Sequence, residues 1–241
     1  SQGYVMVKYN GTNEKVKLQI TCPDQSCYTY LISDRGAYDT FPLTAGNGSY
    51  ALQVLENVAG DTYTVSLAQS INVSIEDEFL PFLYPNQYVN FHTDSKAVSK
   101  GSDLAKDTYS DLDVVQNIYN YVIKNISYDT EKAQNVSYGY VPDIDDTLSS
   151  KKGICFDYAA LMTSMLRSQN IPTKLEVGYS GDAYHAWIST YIDDKGWVDD
   201  IIQFNGNTWQ IMDPTLAATN DSAAVKKYVG DGSHYVVKYT Y

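Results

Sequence analysis

Three residues of this chain have the chemical types needed for nucleophilic catalysis by a thiol. Cys155 follows a Gly-Ile turn that predicts the start of a helix, His185 begins an alternating segment, and Asp213 ends another one. A nucleophilic cysteine needs a base that accepts its proton, and the base needs a carboxylate that fixes its orientation. The sequence therefore predicts Cys155 as the nucleophile, His185 as the general acid and base, and Asp213 as the orienting acid.

The predicted position of Cys155 at a helix N-terminus favours the reactive form of its side chain. An ordinary thiol is only slightly ionised at neutral pH. The unpaired N–H groups and the macrodipole of a helix N-terminus stabilise the thiolate, and a neighbouring imidazolium stabilises it further. The same N–H groups can stabilise the oxyanion that forms during acyl transfer.

Whether Asp213 can orient the base, His185, depends on whether their two predicted strands are neighbours. Alternation places His185 on one strand face with Trp187 and Ser189, while Ala186 and Ile188 occupy the opposite face. If the strand that ends at Asp213 is its neighbour, the carboxylate can bind one imidazole nitrogen while the other faces Cys155. In that arrangement the aspartate fixes the tautomer and does not take the proton.

Each of these residues also has a structural interpretation. A lone cysteine is commonly a small buried apolar residue, and an aspartate before proline is commonly a turn residue. Zinc binding by the three residues is conceivable, but no close CxxC or HxxxH pair supports it. The acidic run 143–146 lacks the spacing and glycine of an EF-hand, so a solvated acidic loop is favoured over a calcium site. We therefore expect no metal and no cofactor.

The first third of the chain has the pattern of a β domain. Four segments alternate with a period of two and are separated by turn-forming Gly and Asn residues; they are 4–9, 15–20, 49–55 and 62–68. Short strands at such spacing predict an immunoglobulin-like β-sandwich. Two prolines interrupt an apolar run at 79–85, which predicts a boundary between a β domain, 1–82, and a second domain, 83–241.

The second domain mixes helical and strand patterns. Apolar residues recur at helical spacing over 112–123, with Ser110 or Asp111 as the capping residue, and again from 153 to about 170. A polar stretch, 128–146, separates the two helices and predicts a long loop that could act as a lid. Strands are expected over 173–179, 185–192, 197–202, 208–212 and 235–239. A cysteine-bearing helix packed on an antiparallel sheet is an α+β architecture.

The charge and composition exclude several partner classes. The net charge is −12, from 17 basic and 29 acidic residues, and no basic stripe is present, which argues against nucleic acid and anionic membranes. No apolar run is long enough for a transmembrane helix, and the first residues lack a signal-peptide pattern. The 23 tyrosines, together with the Asn, Thr and Ser residues, are typical of an extracellular or cell-surface protein. The six Asn-x-Ser/Thr triplets would matter in a eukaryotic secreted protein and have no meaning in a bacterial one.

The three cysteines fall into two groups. Cys22 and Cys27 are close in sequence, and Cys155 is far downstream. A local Cys22–Cys27 disulfide is plausible in an oxidising setting and would leave Cys155 as a free thiol. The alternative is that all three cysteines are reduced.

Several ordered motifs make the chain resemble the transglutaminase-like superfamily of papain-like cysteine enzymes. The resemblance runs from about 112 to 215 and is carried by segments 153–160, 166–172, 177–179, 184–187, 196–197 and 212–215. It implies a papain/transglutaminase-like core in which Cys155, His185 and Asp213 are the triad. Gln134, Tyr138 and Tyr140 are in the region of the family's oxyanion-hole side chain, and nothing selects one of them. The first domain resembles β-rich modules of secreted Gram-positive bacterial proteins.

These observations predict a cysteine-dependent acyl-transfer enzyme that acts on protein or peptide amides. The resemblance favours hydrolysis, as in a cysteine protease, slightly over transglutamination or deamidation. The competing hypothesis is an extracellular binding or adhesion module that uses the same fold as a scaffold, because a fold does not dictate a function. A protein or peptide partner, with or without attachment to a cell wall, is expected in either case.

Overall fold

The computed structural model describes residues 1–32, 36–193, 195–198, 202–204, 209–211 and 235–241. The chain forms two compact units, Ser1–Pro81 and Phe82–Tyr241. In the described parts of the chain, no helix has both the length and the apolar character needed to cross a bilayer.

The first unit is built from antiparallel strands. Its strands are β1 (Tyr4–Lys8), β2 (Val16–Thr21), β3 (Cys27–Leu31), β4 (Tyr38–Pro42), β5 (Gly48–Ala59) and β6 (Thr62–Val73). They form a two-stranded sheet, β1-β4, and a four-stranded sheet in the order β3-β2-β5-β6. The sequence predicted four of these strands, whereas β3 and β4, each five residues long, were missed.

The core of the first unit follows from strand alternation. Val16, Leu18 and Ile20 of β2 are at most 2% exposed, whereas the residues between them are partly exposed. This is the period of two expected of a strand with one buried face. Tyr30 packs against Phe41 with ring centroids 4.8 Å apart.

The second unit combines five helices with short strands in its described part. The helices are α1 (Lys96–Ala105), α2 (Asp111–Asn125), α3 (Thr130–Asn135), α4 (Ile144–Ser150) and α5 (Cys155–Arg167). The strands are β7 (Ser127–Tyr128), β8 (Lys152–Gly153), β9 (Thr173–Ser180), β10 (Ala183–Ile192), β11 (Gly196–Val198), β12 (Ile202–Phe204), β13 (Trp209–Ile211) and β14 (Tyr235–Thr240). The helix caps include Ser110, whose side chain accepts from the Asp113 amide as predicted.

Helix α5 is the centre of the second unit. It packs against α1, α2 and α4 and against strands β9 and β10. Its residues from Asp157 to Arg167 are all buried, as expected of a helix with neighbours on every side. The helix ends where Asn170 adopts a left-handed conformation, φ 62°, and the Ile171 amide donates to the Leu166 carbonyl.

Helix α5, which carries Cys155, packs on an antiparallel sheet. This arrangement of helix and sheet was predicted from the sequence. The strand order is β11-β10-β9-β14, so β9 and β10 are interior strands. Strand β14 pairs with the outer edge of β9 and contains a bulge between Val237 and Tyr239. The two-stranded sheet β12-β13 is separate from this ladder among the described residues.

The predicted long loop over 128–146 is wrong. This segment contains α3 and the start of α4, each begun by an aspartate that accepts hydrogen bonds from the first turn. Asp129 accepts from the Lys132 amide, and Asp143 accepts from the amides of Asp145 and Asp146. The helices are short and lack an apolar stripe, so helical periodicity did not reveal them.

The cysteines are present as free thiols, which matches the reduced alternative. Cys22 is buried, Cys27 is exposed and Cys155 is partly exposed. Burial raises the pKa of the Cys22 thiol.

Candidate active site

Cys155 is the first residue of α5, as the sequence predicted. The turn before it is tight because Gly153 lies against Asp157 of the helix. A Cβ at Gly153 would lie 2.7 Å from the Cβ of Asp157, so a side chain at this position would displace the start of the helix. The thiol is therefore at a helix N-terminus and is partly exposed.

His185 lies near the start of β10, opposite Gly178 of β9. Its ring stacks on Trp187, with centroids 6.4 Å apart and planes inclined by 28°. This contact agrees with strand alternation, which puts both side chains on one face of β10. The elements that carry Cys155 and His185 pack directly on each other, since α5 contacts β10.

A pair of tyrosines lies at the ends of β9 and β10 that are joined by a short turn. Tyr184 and Tyr179 are cross-strand partners, and their rings meet edge to face with centroids 5.5 Å apart. Burial raises the pKa of the Tyr184 hydroxyl, and the neighbouring hydroxyls of Tyr239 and Tyr179 raise it further. The Cys155 thiol acts in the same direction, so Tyr184 is close enough to the thiol for their charges to interact. Apart from the abundance of tyrosine, no feature of the sequence predicts this pair.

Asp213, the predicted orienting acid, lies outside the described residues. The strand that precedes it, β13, pairs with β12, and β10 lies between β9 and β11 in the described part of the ladder. The role of Asp213 as the orienting acid stays a prediction.

A buried carboxylate lies two residues after the thiol. Asp157 is 0% exposed and forms an ion pair of 2.7 Å with Lys132, whose side chain is 28% exposed. The Tyr140 hydroxyl donates to the other carboxylate oxygen, and the Ile154 amide donates to Asp157 at 2.8 Å. Sequence reasoning missed this cluster. The acidic residue at the third helical position was a signal, but Ile154 at the N-cap has no acceptor to complete a capping box.

The three candidates for the oxyanion-hole side chain have different surroundings in the structure. The Tyr140 hydroxyl is bound to Asp157 and to Lys132. Tyr138 is 81% exposed, and Gln134 is also exposed.

The acidic run 143–146 acts in helix capping. Asp143 begins α4, and the Asp145 carboxylate accepts from the Lys96 and Ala97 amides at 3.0 and 2.9 Å. Asp145 thus caps the N-terminus of α1 from a neighbouring helix. In the part of the chain that the structure describes, no three His, Cys, Asp or Glu residues form a cluster suited to a metal ion.

A family model for the transglutaminase-like superfamily matches residues 99–199. The matched segment begins within α1 and contains α5 and β10. It therefore includes both Cys155 and His185, and it ends before Asp213.

Two curated proteins are similar to part of the chain. A UPF0252 protein of Methanocaldococcus jannaschii is 30% identical over 118 residues, which are 42% of this chain and 34% of that protein. The kyphoscoliosis peptidase of Mus musculus is 30% identical over 107 residues, which are 39% of this chain and 16% of that protein. The chain thus corresponds to no more than about a third of either relative's length.

Among solved structures, the periplasmic domain of TgpA from Pseudomonas aeruginosa superposes on the chain with a TM-score of 0.47 at 13% identity. The superposition covers 97% of this chain and 92% of that one. The family match is independent of this superposition and overlaps the motif-bearing segment 112–215 as far as residue 199. Over residues 99–199 the chain is therefore similar to the transglutaminase-like superfamily.

Proposed function

We propose that the chain is a cysteine-dependent acyl-transfer enzyme that acts on amide bonds of proteins or peptides, with hydrolysis as its main outcome. The observation that carries this proposal is the position of Cys155. It is the only cysteine of the matched segment, it begins the buried central helix, and it is partly exposed. A thiol in this place meets the helix N–H groups and can still reach a substrate.

The proposed reaction has two steps. The Cys155 thiolate attacks the amide carbonyl carbon, the carbon–nitrogen bond breaks, and the departing amine takes a proton from the His185 imidazolium. Water then attacks the resulting thioester while His185 accepts its proton, and the carbon–sulfur bond breaks, which releases a carboxylic acid and restores the Cys155 thiolate beside the His185 imidazolium. An amine in place of water would give a new amide bond, so transglutamination uses the same groups.

Three further observations support a peptide substrate and a hydrolytic outcome. The Tyr179–Tyr184 pair is 41% and 59% exposed, and Tyr184 is close enough to the thiol to interact with its charge, so these aromatic faces can bind side chains or backbone of a peptide. The mouse relative is called a peptidase. The matched segment contains the proposed base as well as the nucleophile. Asp213 is proposed as the orienting acid from its sequence context alone.

The reactivity of Cys155 tests the proposal, and the chain provides its own reference thiol. Cys27 is exposed, forms no disulfide and lies outside the matched segment, so it serves as the reference. The alkylation rate of both thiols by iodoacetamide is measured from pH 4 to 9 in intact protein. Trypsin then releases Cys155 on peptide 153–167 and Cys27 on peptide 18–35, and mass spectrometry with fragmentation quantifies each site.

We expect Cys155 to react rapidly at pH values where Cys27 does not, and His185→Ala to abolish this difference. Equal pH profiles for the two thiols would show that Cys155 is not activated, and the domain would then be a scaffold for binding. The companion variant Tyr184→Phe should leave the advantage largely intact, because a phenol is not the proposed base.

Turnover is tested with casein as a general protein substrate. Release of new amino groups reports hydrolysis, and incorporation of a dansylated primary amine reports transfer. Both should disappear in Cys155→Ala and persist in Cys27→Ala. Amine incorporation that exceeds hydrolysis at low millimolar amine would reverse the proposed preference.

A further inference from the structure

The strongest unexplained feature near Cys155 is the buried cluster of Lys132, Tyr140 and Asp157. Both carboxylate oxygens of Asp157 are bound: one by the Tyr140 hydroxyl, the other by Lys132 Nζ and the Ile154 amide. Lys132 Nζ also donates to the Tyr140 hydroxyl at 2.6 Å and lies 4.5 Å from the centroid of its ring. The lysine and the tyrosine therefore hold the aspartate from two sides.

The chain uses several local contacts to bring this cluster to the start of α5. Strands β7 and β8 pair in parallel, with Tyr128 opposite Gly153, and the Asp129 amide donates to the Gly153 carbonyl at 2.9 Å. Helix α3 begins immediately after this contact, which carries Lys132 to Asp157. The missing side chain at Gly153 provides the space for Asp157.

The charge of Asp157 is unfavourable for a thiolate at the same helix end. A lone buried carboxylate is costly to desolvate, and it would repel a second anion two residues away. Lys132 supplies a positive charge at 2.7 Å, so the buried pair is neutral overall. The first-turn N–H groups can then stabilise the thiolate without opposition from the aspartate.

Tyr140 remains a hydrogen-bond donor in this cluster. Burial, the hydrogen bond to Asp157 and the nearby carboxylates of Asp157, Asp143 and Asp146 all raise the pKa of the Tyr140 hydroxyl. The phenol is therefore protonated at any pH at which the protein would work. This bond fixes the Asp157 carboxylate, which in turn fixes the Ile154 amide just before Cys155.

We propose that Lys132 and Tyr140 are positioning residues that act through Asp157, neutralising and holding its carboxylate so that the N-terminus of α5 stabilises the Cys155 thiolate. This inference rests on the proposed function, since it assigns the cluster a part in activating the same thiol. Other titratable groups near this helix end stay unchanged in the test; they are Tyr179, Tyr184, His185 and Tyr239 on the sheet, and Asp143 and Asp146 beside Tyr140.

The test compares Lys132→Met, Asp157→Asn and the double variant with the wild type. Methionine keeps most of the lysine length without its charge. We expect Lys132→Met to move the half-maximal pH of Cys155 alkylation about one unit or more towards alkaline pH and to reduce kcat/KM for casein about 10- to 100-fold. In the double variant most of this shift should be reversed, so that its half-maximal pH is close to the wild-type value. The reason is that the double variant has no unpaired carboxylate at position 157. Lys124→Met, at an exposed lysine of α2, is the matched control and should change neither value.

The outcomes separate this inference from the proposed function. If wild-type Cys155 reacts like Cys27, the proposed function fails. If wild-type Cys155 is activated but Lys132→Met leaves its pH profile unchanged, or the double variant is shifted as far as the single one, only the present inference fails. Should Lys132→Met unfold, Lys132→Arg keeps the charge: a wild-type pH profile in that variant agrees with the inference, and a profile equal to that of Cys27 contradicts it.

Discussion

Gly178 is the cross-strand partner of His185, and it also pairs with Val237 of β14. A Cβ at Gly178 would lie 2.0 Å from the carbonyl oxygen of Val236, which is a distance that no side chain tolerates. The absence of a side chain at Gly178 thus lets β14 close the sheet directly beside the strand pair that carries His185.

Gly178→Ala should therefore push β14 away from β9. We expect a loss of about 1–3 kcal/mol in the free energy of unfolding, as in other overpacked sites, measured by urea denaturation. Because β14 lies beside the proposed site, the alkylation advantage of Cys155 should also fall. Val237→Ala shortens an exposed side chain of β14 and serves as the control, with a much smaller loss. Equal stability of Gly178→Ala and wild type would contradict the close approach.

Arg167 joins three distant backbone segments at the end of α5. It is 3% exposed and donates to the carbonyls of Thr173, Tyr84 and Tyr241 at 2.9, 2.8 and 2.7 Å. Burial lowers the pKa of the guanidinium, but an arginine in proteins stays charged, and its place at a helix C-terminus is favourable. Arg167 thus holds the C-terminal end of α5, and Cys155 is at the N-terminal end of the same helix.

Arg167→Met should destabilise the second unit by on the order of 3–5 kcal/mol, because three carbonyls, two of them in buried hydrogen bonds, lose a charged donor. Arg167→Lys keeps the charge but cannot serve all three carbonyls, so we expect an intermediate loss. Urea unfolding followed by tryptophan fluorescence reports the second unit, since all three tryptophans lie there. A methionine variant as stable as the lysine variant would show that the carbonyl contacts contribute little.

Tyr158 predicts how stability responds to alkaline pH. It is fully buried, and its hydroxyl donates to the Ile126 carbonyl at 2.7 Å. Burial raises the pKa of Tyr158 to about 12. The stabilising effect of this group is complete below the unfolded-state pKa near 10 and is lost as pH rises through the folded-state value.

We expect the free energy of unfolding of the wild type to fall between about pH 10 and 12. The fall should be on the order of 2 kcal/mol smaller in Tyr158→Phe. At neutral pH the phenylalanine variant should be about 1 kcal/mol less stable, since the Ile126 carbonyl loses its donor. Parallel curves for the two proteins above pH 10 would argue against the raised pKa. Tyr109→Phe, at a 97% exposed tyrosine, is the matched control.

A substitution at Asp145 distinguishes helix capping from calcium binding as the role of the acidic run 143–146. Asp145→Ala removes the acceptor of two α1 amides and should cost about 1–2 kcal/mol. Asp146→Ala removes a neighbouring exposed carboxylate that accepts none of these bonds and should cost less. Thermal unfolding with and without millimolar CaCl₂ checks the alternative: a calcium-dependent rise in Tm that Asp145→Ala abolishes would restore the calcium site.

The sequence predicted those parts of the structure that depend on local pattern. Gly153 before Cys155 indicated a turn into a helix, alternation after His185 indicated β10, and Ser110 indicated the cap of α2. All three are present. The transglutaminase-like core was predicted from ordered motifs, whereas the immunoglobulin-like character of the first unit and a location outside the cell stay predictions.

The sequence could not reveal contacts between residues that lie far apart along the chain. Lys132 and Asp157 are 25 positions apart, and nothing in either local pattern indicates that they meet. The pairing of β14 with β9 is of the same kind. These contacts depend on how the helices and the sheet pack, which is determined by the whole core and not by a short window.

Strand β14 also has a consequence for how the protein is synthesised. Tyr235 pairs with Ser180, so β9 leaves the ribosome well before the strand that covers its edge. At the usual rate of protein synthesis this interval is on the order of several seconds. During it the nascent chain presents an open edge on which other chains can pair. The thiol is synthesised early, but the sheet beside it closes late, so reactivity should appear only when translation of the unit is nearly complete.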